Sequence, residues 1–355
     1  MSGKVKVALA LPVARELQER IRAVDQRLAV TALTRMQRHV YREGRPLWAG
    51  YAEPALADEE SEEEAKARLE EVLAGTEVIL SNPVVPDGIV SRAPKLRWLQ
   101  LTSAGVDRLL DAPVVRSRVT VTTASGIHAV PISEYVLGAM LAFAKGFPRA
   151  LKAQAEGTWR PFWPEELEGK TVGIAGMGAI GRRVAQLSRA LGLRVLAMRR
   201  SAERRLVGGE TGDPCVDELL PPSELPYLLA ESDYVVVAAP LTPETRGMFG
   251  EAELRAMKPT AVIINIARGA LIDEGALARA LKERWIAGAA LDVFEREPLP
   301  AESALWALDN VLLTPHISGG TPRYMERAVD LFCDNLRRYL DGRPLLNVVD
   351  PERGY

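Results

Sequence analysis

The segment from Gly173 to Ser201, GIAGMGAIGRRVAQLSRALGLRVLAMRRS, limits the possible folds of this chain more than any other stretch. An apolar strand leads into glycines at G-x-G-x-x-G spacing, and a helix and a second apolar strand follow. Gly176 permits a tight turn, Gly178 lets a pyrophosphate approach the backbone, and Gly181 lets helix and strand pack closely. The pattern predicts a dinucleotide-binding βαβ unit with the anion at the helix N-terminus. A turn with incidental glycines is the alternative.

The residues after the second strand indicate which dinucleotide is preferred. In NAD sites, a carboxylate at this position accepts hydrogen bonds from the ribose 2′-hydroxyl. This chain has Arg199, Arg200 and Ser201 there instead. Guanidinium and hydroxyl groups donate hydrogen bonds to a 2′-phosphate, which a carboxylate would repel. The sequence therefore predicts NADP as the preferred cofactor over NAD, with a solvated surface turn as the alternative.

The strand pattern predicts two α/β parts, because 355 residues exceed the size at which a single core stops growing. In the first part, KVKVALAL, EVILS and KLRWLQLTS alternate with charged helical stretches. In the second part the strands TVGIAG, LRVLAM, DYVVVAAPL, AVIINIA, AGAALDVF and NVLLTPH are nearly continuously apolar, which is typical of a parallel sheet covered on both faces. We expect the last helix, TPRYMERAVDLFCDNLRRYLDG, to return to the first part.

Composition argues against several classes of function. With a formal net charge of -2, nucleic acid and anionic membranes are not expected as general partners. The longest apolar runs are shorter than the about 18 residues that span a bilayer. Cys215 and Cys333 lie far apart without cysteine or histidine at ligand spacing, so neither a disulfide framework nor a metal site is predicted. These features favour a cytoplasmic protein.

A histidine acid or base must be one of three residues, His39, His128 and His316. His316 follows the strand NVLLTP, and open α/β sheets bind ligands beyond the carboxyl ends of their strands. His39 lies in the basic segment MQRHVYREGR and is predicted to be a surface residue. His128 has two interpretations, a substrate contact or a packing role.

Two charged residues also follow strands of the second part, Arg268 and Glu297. Arginine binds a carboxylate through two parallel hydrogen bonds. A carboxylate beside an imidazole orients the ring and stabilises its protonated form. Spacing alone leaves open whether these two residues meet His316 or are ordinary surface charges.

Five motifs carry a resemblance to a known family. In order, GMGAIG, PLTPETRGMFG, NIARGALIDEGALARAL, AGAALDVFEREPLP and LLTPHISGG resemble the signatures of the D-isomer-specific 2-hydroxyacid dehydrogenases, most strongly over residues 169–320. The resemblance implies two doubly wound α/β domains. A Rossmann dinucleotide-binding domain, 126–319 with its first helix and connecting arm, would be inserted in a flavodoxin-like substrate domain formed by 1–125 and 320–355.

The resemblance also implies the reaction. A hydride would pass between NAD(P)H and the C2 carbon of a small 2-oxo or 2-hydroxy acid of the D-isomer class, in a reduction of the glyoxylate or hydroxypyruvate type. Arg268 would bind the substrate carboxylate and polarise the carbonyl. His316 would supply the proton, and Glu297 would hold the imidazole protonated and oriented.

Further site residues follow from the same resemblance. The expected cofactor contacts are Gly176, Gly178, Ala179, Ile180, Gly181, Arg199, Arg200, Ser201, Pro240, Ile266, Ala267, Arg268 and Asp292, the last near the nicotinamide carboxamide. The substrate would be bound by Arg268, by His316 and by main-chain N–H groups of Ser103, Ala104 and Gly105. A homodimer is implied through the helix around SEYVLGAMLAFA and the arm that follows it.

Two alternatives remain at this level. A phosphoglycerate-type dehydrogenase would need extra cations in the first part, where only Arg108 stands out near LTSAGVDR. A nucleotide-sensing binding protein resembling corepressors of the same fold would retain Arg268, Glu297 and His316. Consumption of NADPH with a 2-oxo acid distinguishes an enzyme from such a sensor.

Overall fold

The computed structural model describes residues 4–43, 61–106 and 109–352, so Arg108 lies outside the described residues. The chain forms two compact units, which we call unit 1 (Met1–Ile127 with Pro322–Tyr355) and unit 2 (His128–Thr321). Which unit serves the substrate and which the cofactor is not decided by this division and stays a prediction. Within the described ranges, no helix has the length and apolarity needed to cross a membrane.

Unit 1 is built on a parallel sheet. Among the described residues its strand order is β2-β1-β3-β4-β5, the 2-1-3-4-5 order of flavodoxin-like folds, as predicted. The strands are β1 Val5–Leu9, β2 Leu28–Ala32, β3 Val78–Ser81, β4 Trp98–Leu101 and β5 Thr120–Thr122. The helices of this unit are α1 Arg15–Arg22, α2 Arg35–Tyr41, α3 Glu62–Gly75, α4 Ile89–Arg92 and α11 Tyr324–Leu340.

The last helix, α11, packs on the unit 1 sheet. The Phe332 ring lies 5.2 Å from that of Trp98 between centroids, in a cluster with Leu336. Buried polar groups tie the same elements together, because the Asn335 amide donates to Gln100 Oε1 at 3.1 Å. A buried amide needs such a partner, so this bond also favours one docking position of the helix.

Unit 2 carries a longer sheet, in the order β13-β12-β11-β10-β6-β7-β9-β8 among the described residues. All pairs are parallel except β8 with β9. The chain starts at the centre with β6, moves outward to β7 and β9, and then returns to add β10 on the other side of β6. This reversal is the doubly wound arrangement predicted for the dinucleotide-binding part, and ligands bind where it occurs. The strands are β6 Thr171–Ala175, β7 Arg194–Met198, β8 Leu206–Val207, β9 Glu218–Leu220, β10 Tyr234–Val237, β11 Val262–Asn265, β12 Gly288–Leu291 and β13 Val311–Leu313.

Helices cover both faces of the unit 2 sheet, which explains why its strands are apolar throughout. One cluster joins Ile174 and Val236 to residues of α5 and α7, and the other joins Ala175 and Val235 to residues of α8, α9 and α10. Neighbouring strand residues thus contribute to opposite faces. The helices of this unit are α5 Ala129–Ala144, α6 Phe147–Ala155, α7 Ala179–Ala190, α8 Leu225–Glu231, α9 Glu251–Ala256 and α10 Glu274–Lys282.

Candidate active site

The predicted phosphate-binding turn lies between β6 and α7. Gly176 has a φ of 115°, and a Cβ there would lie 2.6 Å from the backbone of Ala238, which follows β10. A Cβ on Gly181 would lie 2.1 Å from the carbonyl oxygen of Gly176. Gly178 precedes α7 and has open space where its side chain would be. The three glycines therefore meet the requirements of a tight turn, close packing and an approachable backbone, at the point where the strand order reverses.

The turn after β7 presents the residues predicted to select the cofactor. Arg199, Arg200 and Ser201 are all exposed, and the Arg199 amide donates to the Leu220 carbonyl at 3.1 Å. Arg200 lies near the loop after β10. The hydroxyl of Thr242 is the main cause that lowers the pKa of Glu244 below its usual value, and the charge of Arg200 lowers that pKa further. The two exposed arginines thus follow the carboxyl end of β7, the strand that pairs with β6 before the glycine turn.

Arg268 follows β11 in a turn that Asn265 shapes. The buried Asn265 side chain donates to the Arg268 carbonyl at 3.0 Å and accepts from the Ala267 amide at 3.1 Å. The next residue, Gly269, touches the chain after β12, because a Cβ there would lie 1.9 Å from the carbonyl carbon of Phe294. Any larger residue at Gly269 would push apart the two loops that carry Arg268 and Glu297.

Glu297 and His316 meet directly. Nδ1 of His316 lies 2.9 Å from Oε2 of Glu297, and the two side chains are 30% and 21% exposed. The other carboxylate oxygen of Glu297 accepts from the Phe294 amide at 3.2 Å, which limits its rotation. A carboxylate beside Nδ1 orients the imidazole and favours a proton on that nitrogen.

The backbone at His316 is in the left-handed region, with a φ of 56°. This conformation costs a non-glycine residue about 1–2 kcal/mol. Asp292, fully buried after β12, opposes that cost by accepting from the amides of Ile317 and Ser318, each at 2.8 Å. The two hydrogen bonds hold the residues directly after His316 in place and so help to maintain the strained conformation.

Sequence reasoning missed two residues of this network. The Thr314 hydroxyl donates to Oδ1 of Asp292 at 2.6 Å, and the Tyr135 hydroxyl lies 2.8 Å from Thr314 Oγ1. Burial raises the pKa of Tyr135 above its usual value. The signal available for Thr314 was a polar residue directly after an apolar strand, and no comparable signal marks Tyr135.

The other predicted residues are placed as follows. Within unit 2, Ile266 is buried, Ala267 and Ile180 are partly buried, and Ala179 and Pro240 are exposed. His128 immediately precedes α5, and its ring packs against Gly319, so a packing contact is present and a substrate role stays a prediction. His39 is exposed on α2, which confirms its surface position. Residues 4–43, 61–106 and 109–352 contain no group of three metal-ligating side chains.

Ser103, Ala104 and Gly105 lie in unit 1, in the loop after β4. The Ser103 hydroxyl donates to the Gly105 carbonyl at 3.0 Å, and the Ser103 carbonyl accepts from the Ala124 amide at 2.8 Å. In the described part of the chain, the backbone N–H groups of these three residues donate no hydrogen bond to the protein. Consecutive unused N–H groups are a common feature of anion sites.

Comparison with known proteins agrees with this architecture. The family model described as "D-isomer specific 2-hydroxyacid dehydrogenase, NAD binding domain" matches residues 137–318. A glyoxylate reductase of Aeropyrum pernix is 36% identical over 279 residues, which cover 74% of this chain and 79% of that protein.

Solved structures with bound cofactor are also similar. A D-isomer specific 2-hydroxyacid dehydrogenase of Xanthobacter autotrophicus, in complex with NADPH and MES, is 30% identical with a TM-score of 0.78 over 100% of both chains. An NADPH-dependent glyoxylate/hydroxypyruvate reductase of Sinorhizobium meliloti, in complex with NADP and sulfate, is 27% identical with a TM-score of 0.75, over 99% of this chain and 100% of that one. The strand order, the glycine turn and these matches show that the chain belongs to the D-isomer-specific 2-hydroxyacid dehydrogenase family and is an NAD(P)-dependent oxidoreductase.

Proposed function

We propose that this protein is an NADPH-dependent reductase of a small unphosphorylated 2-oxo acid, of which glyoxylate and hydroxypyruvate are the first candidates. The observation that carries the proposal is the contact between His316 and Glu297, in the same unit as the glycine turn. The names of the similar reductases supply the substrate candidates.

The order of the strands supports a shared role for three residues. Arg268, Glu297 and His316 follow β11, β12 and β13, which are neighbours in one parallel sheet. The carboxyl ends of parallel strands meet at one edge, where ligands bind. We assign the substrate carboxylate and the polarisation of the carbonyl to the Arg268 guanidinium, because its donor geometry matches both oxygens of a carboxylate.

His316 acts as the proton donor in this proposal. When bound, the cofactor supplies the hydride that adds to C2 of the oxo acid. Nε2 of His316 delivers a proton to the oxygen on which negative charge develops. Glu297 accepts a hydrogen bond from Nδ1–H, orients the ring and stabilises its positive charge.

The residues present fit a phosphorylated dinucleotide. The N-terminus of α7 and the open space at Gly178 suit a pyrophosphate, and the pair Arg199 and Arg200 suits a 2′-phosphate. We further assign binding of a carboxylate to the main-chain N–H groups of Ser103, Ala104 and Gly105.

Spectrophotometric assay of NADPH oxidation tests this function. We expect turnover with glyoxylate or hydroxypyruvate and a higher kcat/KM with NADPH than with NADH. Replacing both Arg199 and Arg200 by alanine should lower kcat/KM for NADPH about tenfold or more and leave that for NADH nearly unchanged. The matched control is Arg204→Ala, which removes a cation of the same segment that is paired with Glu210. Absence of turnover with every 2-oxo acid tested, or a clear preference for NADH, would contradict the proposal.

We infer from the free thiols Cys215 and Cys333 that the protein occupies a reducing compartment such as the cytoplasm.

We also infer that the protein is a homodimer. Trp159 and Trp163 follow α6 and are 95% and 97% exposed. Phe147 and Leu151 of α6 are more than half exposed as well. Such a group of large apolar side chains on one segment is typical of a protein interface.

The dimer is tested by light scattering after gel filtration. We expect light scattering to give wild type twice the chain mass of 38.8 kDa. The double variant Trp159→Ser with Trp163→Ser should dissociate on dilution, since tryptophans that become buried in an interface dominate its affinity. Trp306→Ser, at a residue 56% exposed elsewhere in unit 2, is the control and should remain dimeric. A monomeric wild type, or a dimeric double variant, would count against the inference.

A further inference from the structure

Three hydrogen-bonded polar residues support the loop after β13 that carries His316. We propose that Asp292, Thr314 and Tyr135 are positioning residues for the reaction, which set the backbone and hence the ring of His316. This inference rests on the proposed role of His316 as proton donor. It gives Asp292 a task in addition to the contact with the nicotinamide carboxamide that the family resemblance implies.

The contacts of Asp292 support this role. One oxygen accepts from the Thr314 hydroxyl and the Ile317 amide, at 2.6 and 2.8 Å, and the other accepts from the Ser318 amide at 2.8 Å. These partners lie on both sides of His316. The fully buried Asp292 carboxylate uses three of its about four acceptor positions for donors of this loop. Only one acceptor position remains for a ligand.

The direction of the remaining hydrogen bond follows from this arrangement. The Thr314 hydroxyl has one proton and donates it to Asp292. Tyr135 must therefore donate to Thr314 Oγ1, over a distance of 2.8 Å. Tyr135 lies on α5, so a chain of two hydrogen bonds connects that helix with the carboxylate that holds the loop.

The geometry of His316 explains why such support is needed. Its left-handed φ of 56° has to be maintained by neighbouring contacts, because relaxation of the loop would move Nδ1 away from its 2.9 Å contact with Glu297. A displacement of about 1 Å at a catalytic group lowers rates by up to about 10²-fold.

Two variants of Thr314 test the proposal: valine lacks the hydroxyl group of threonine, and serine lacks only its methyl group. We expect Thr314→Val to lower kcat about tenfold, with the dissociation constant for NADPH close to that of wild type. Thr314→Ser keeps the donor and should recover most of the lost rate. Tyr135→Phe should lower kcat less, because Asp292 keeps all three of its donors. Thr211→Val, which removes a buried hydroxyl near β8 at the opposite edge of the sheet, is the matched control.

A measurement independent of turnover accompanies these assays. The chain has three histidines, so histidine-labelled protein gives few ring signals in NMR, and His316→Asn assigns the signal of His316. We expect that signal to shift in Thr314→Val, to return in Thr314→Ser and to stay in place in Thr211→Val. An unchanged kcat and an unchanged signal in Thr314→Val would overturn the proposal. A higher NADPH dissociation constant with unchanged kcat would overturn it too, by assigning the network to the cofactor alone. An inactive wild type would instead refute the proposed function.

Discussion

His316→Asn is expected to lower kcat for reduction of the 2-oxo acid by about 10²–10⁴-fold, the range typical of a lost general acid. Asparagine is the replacement of choice because His316 has a φ of 56°, and asparagine tolerates the left-handed region better than alanine does. The side chain loses the ring nitrogen that donates the proton while the loop keeps its backbone. Steady-state assays with saturating NADPH measure the effect.

The same substitution at His39 is the control, because that residue is exposed on α2 in unit 1. His39→Asn should have the kcat of wild type. Binding of NADPH, followed by its fluorescence, should be nearly equal in all three proteins, since no part of the glycine turn is altered. Near-normal turnover of His316→Asn would disprove the assignment of the proton donor.

The second large effect is expected for Arg268→Ala, with kcat/KM lowered about 30-fold to a few thousand-fold. This corresponds to about 2–5 kcal/mol for truncating one partner of a desolvated charge pair. Most of the loss should appear as a higher KM, because the guanidinium binds the carboxylate in ground state and transition state alike. A smaller fall in kcat should reflect the lost polarisation of the carbonyl.

A conservative variant, chemical rescue and a control variant test the role of the Arg268 guanidinium. Arg268→Lys keeps the charge without the paired donors and should recover only part of kcat/KM. Free guanidinium at millimolar concentration should partly restore Arg268→Ala. Arg279→Ala on α10, an exposed arginine paired with Glu251, serves as the control for loss of one positive charge. Equal KM values in Arg268→Ala and wild type would remove Arg268 from substrate binding.

Much of the fold was predictable because its signals are local. Gly176 is required by its positive φ and Gly181 by a contact below 3 Å, so the glycine spacing between an apolar strand and a helix indicated the turn. The apolar strands of unit 2 were recognisable because both faces of the sheet are covered. The strands β2, β5, β8 and β9 were not predicted. They are short or partly exposed, and their residues do not form a long apolar run.

The sequence by itself determined the parts of this protein that depend on neighbouring residues along the chain: the dinucleotide turn, the two α/β units and the reaction class that the motifs imply. Only the tertiary structure decided which groups meet. The contact of His316 with Glu297 spans 19 residues and that of Tyr135 with Thr314 spans 179, and no pattern along the chain encodes such pairs. The first contact forms because the adjacent parallel strands β12 and β13 bring their carboxyl ends to one edge of the sheet. The second forms because α5 packs on the same sheet. Asp292 shows the difference most clearly, since the resemblance implied only a contact with the nicotinamide carboxamide and the fold directs the side chain to the loop of His316.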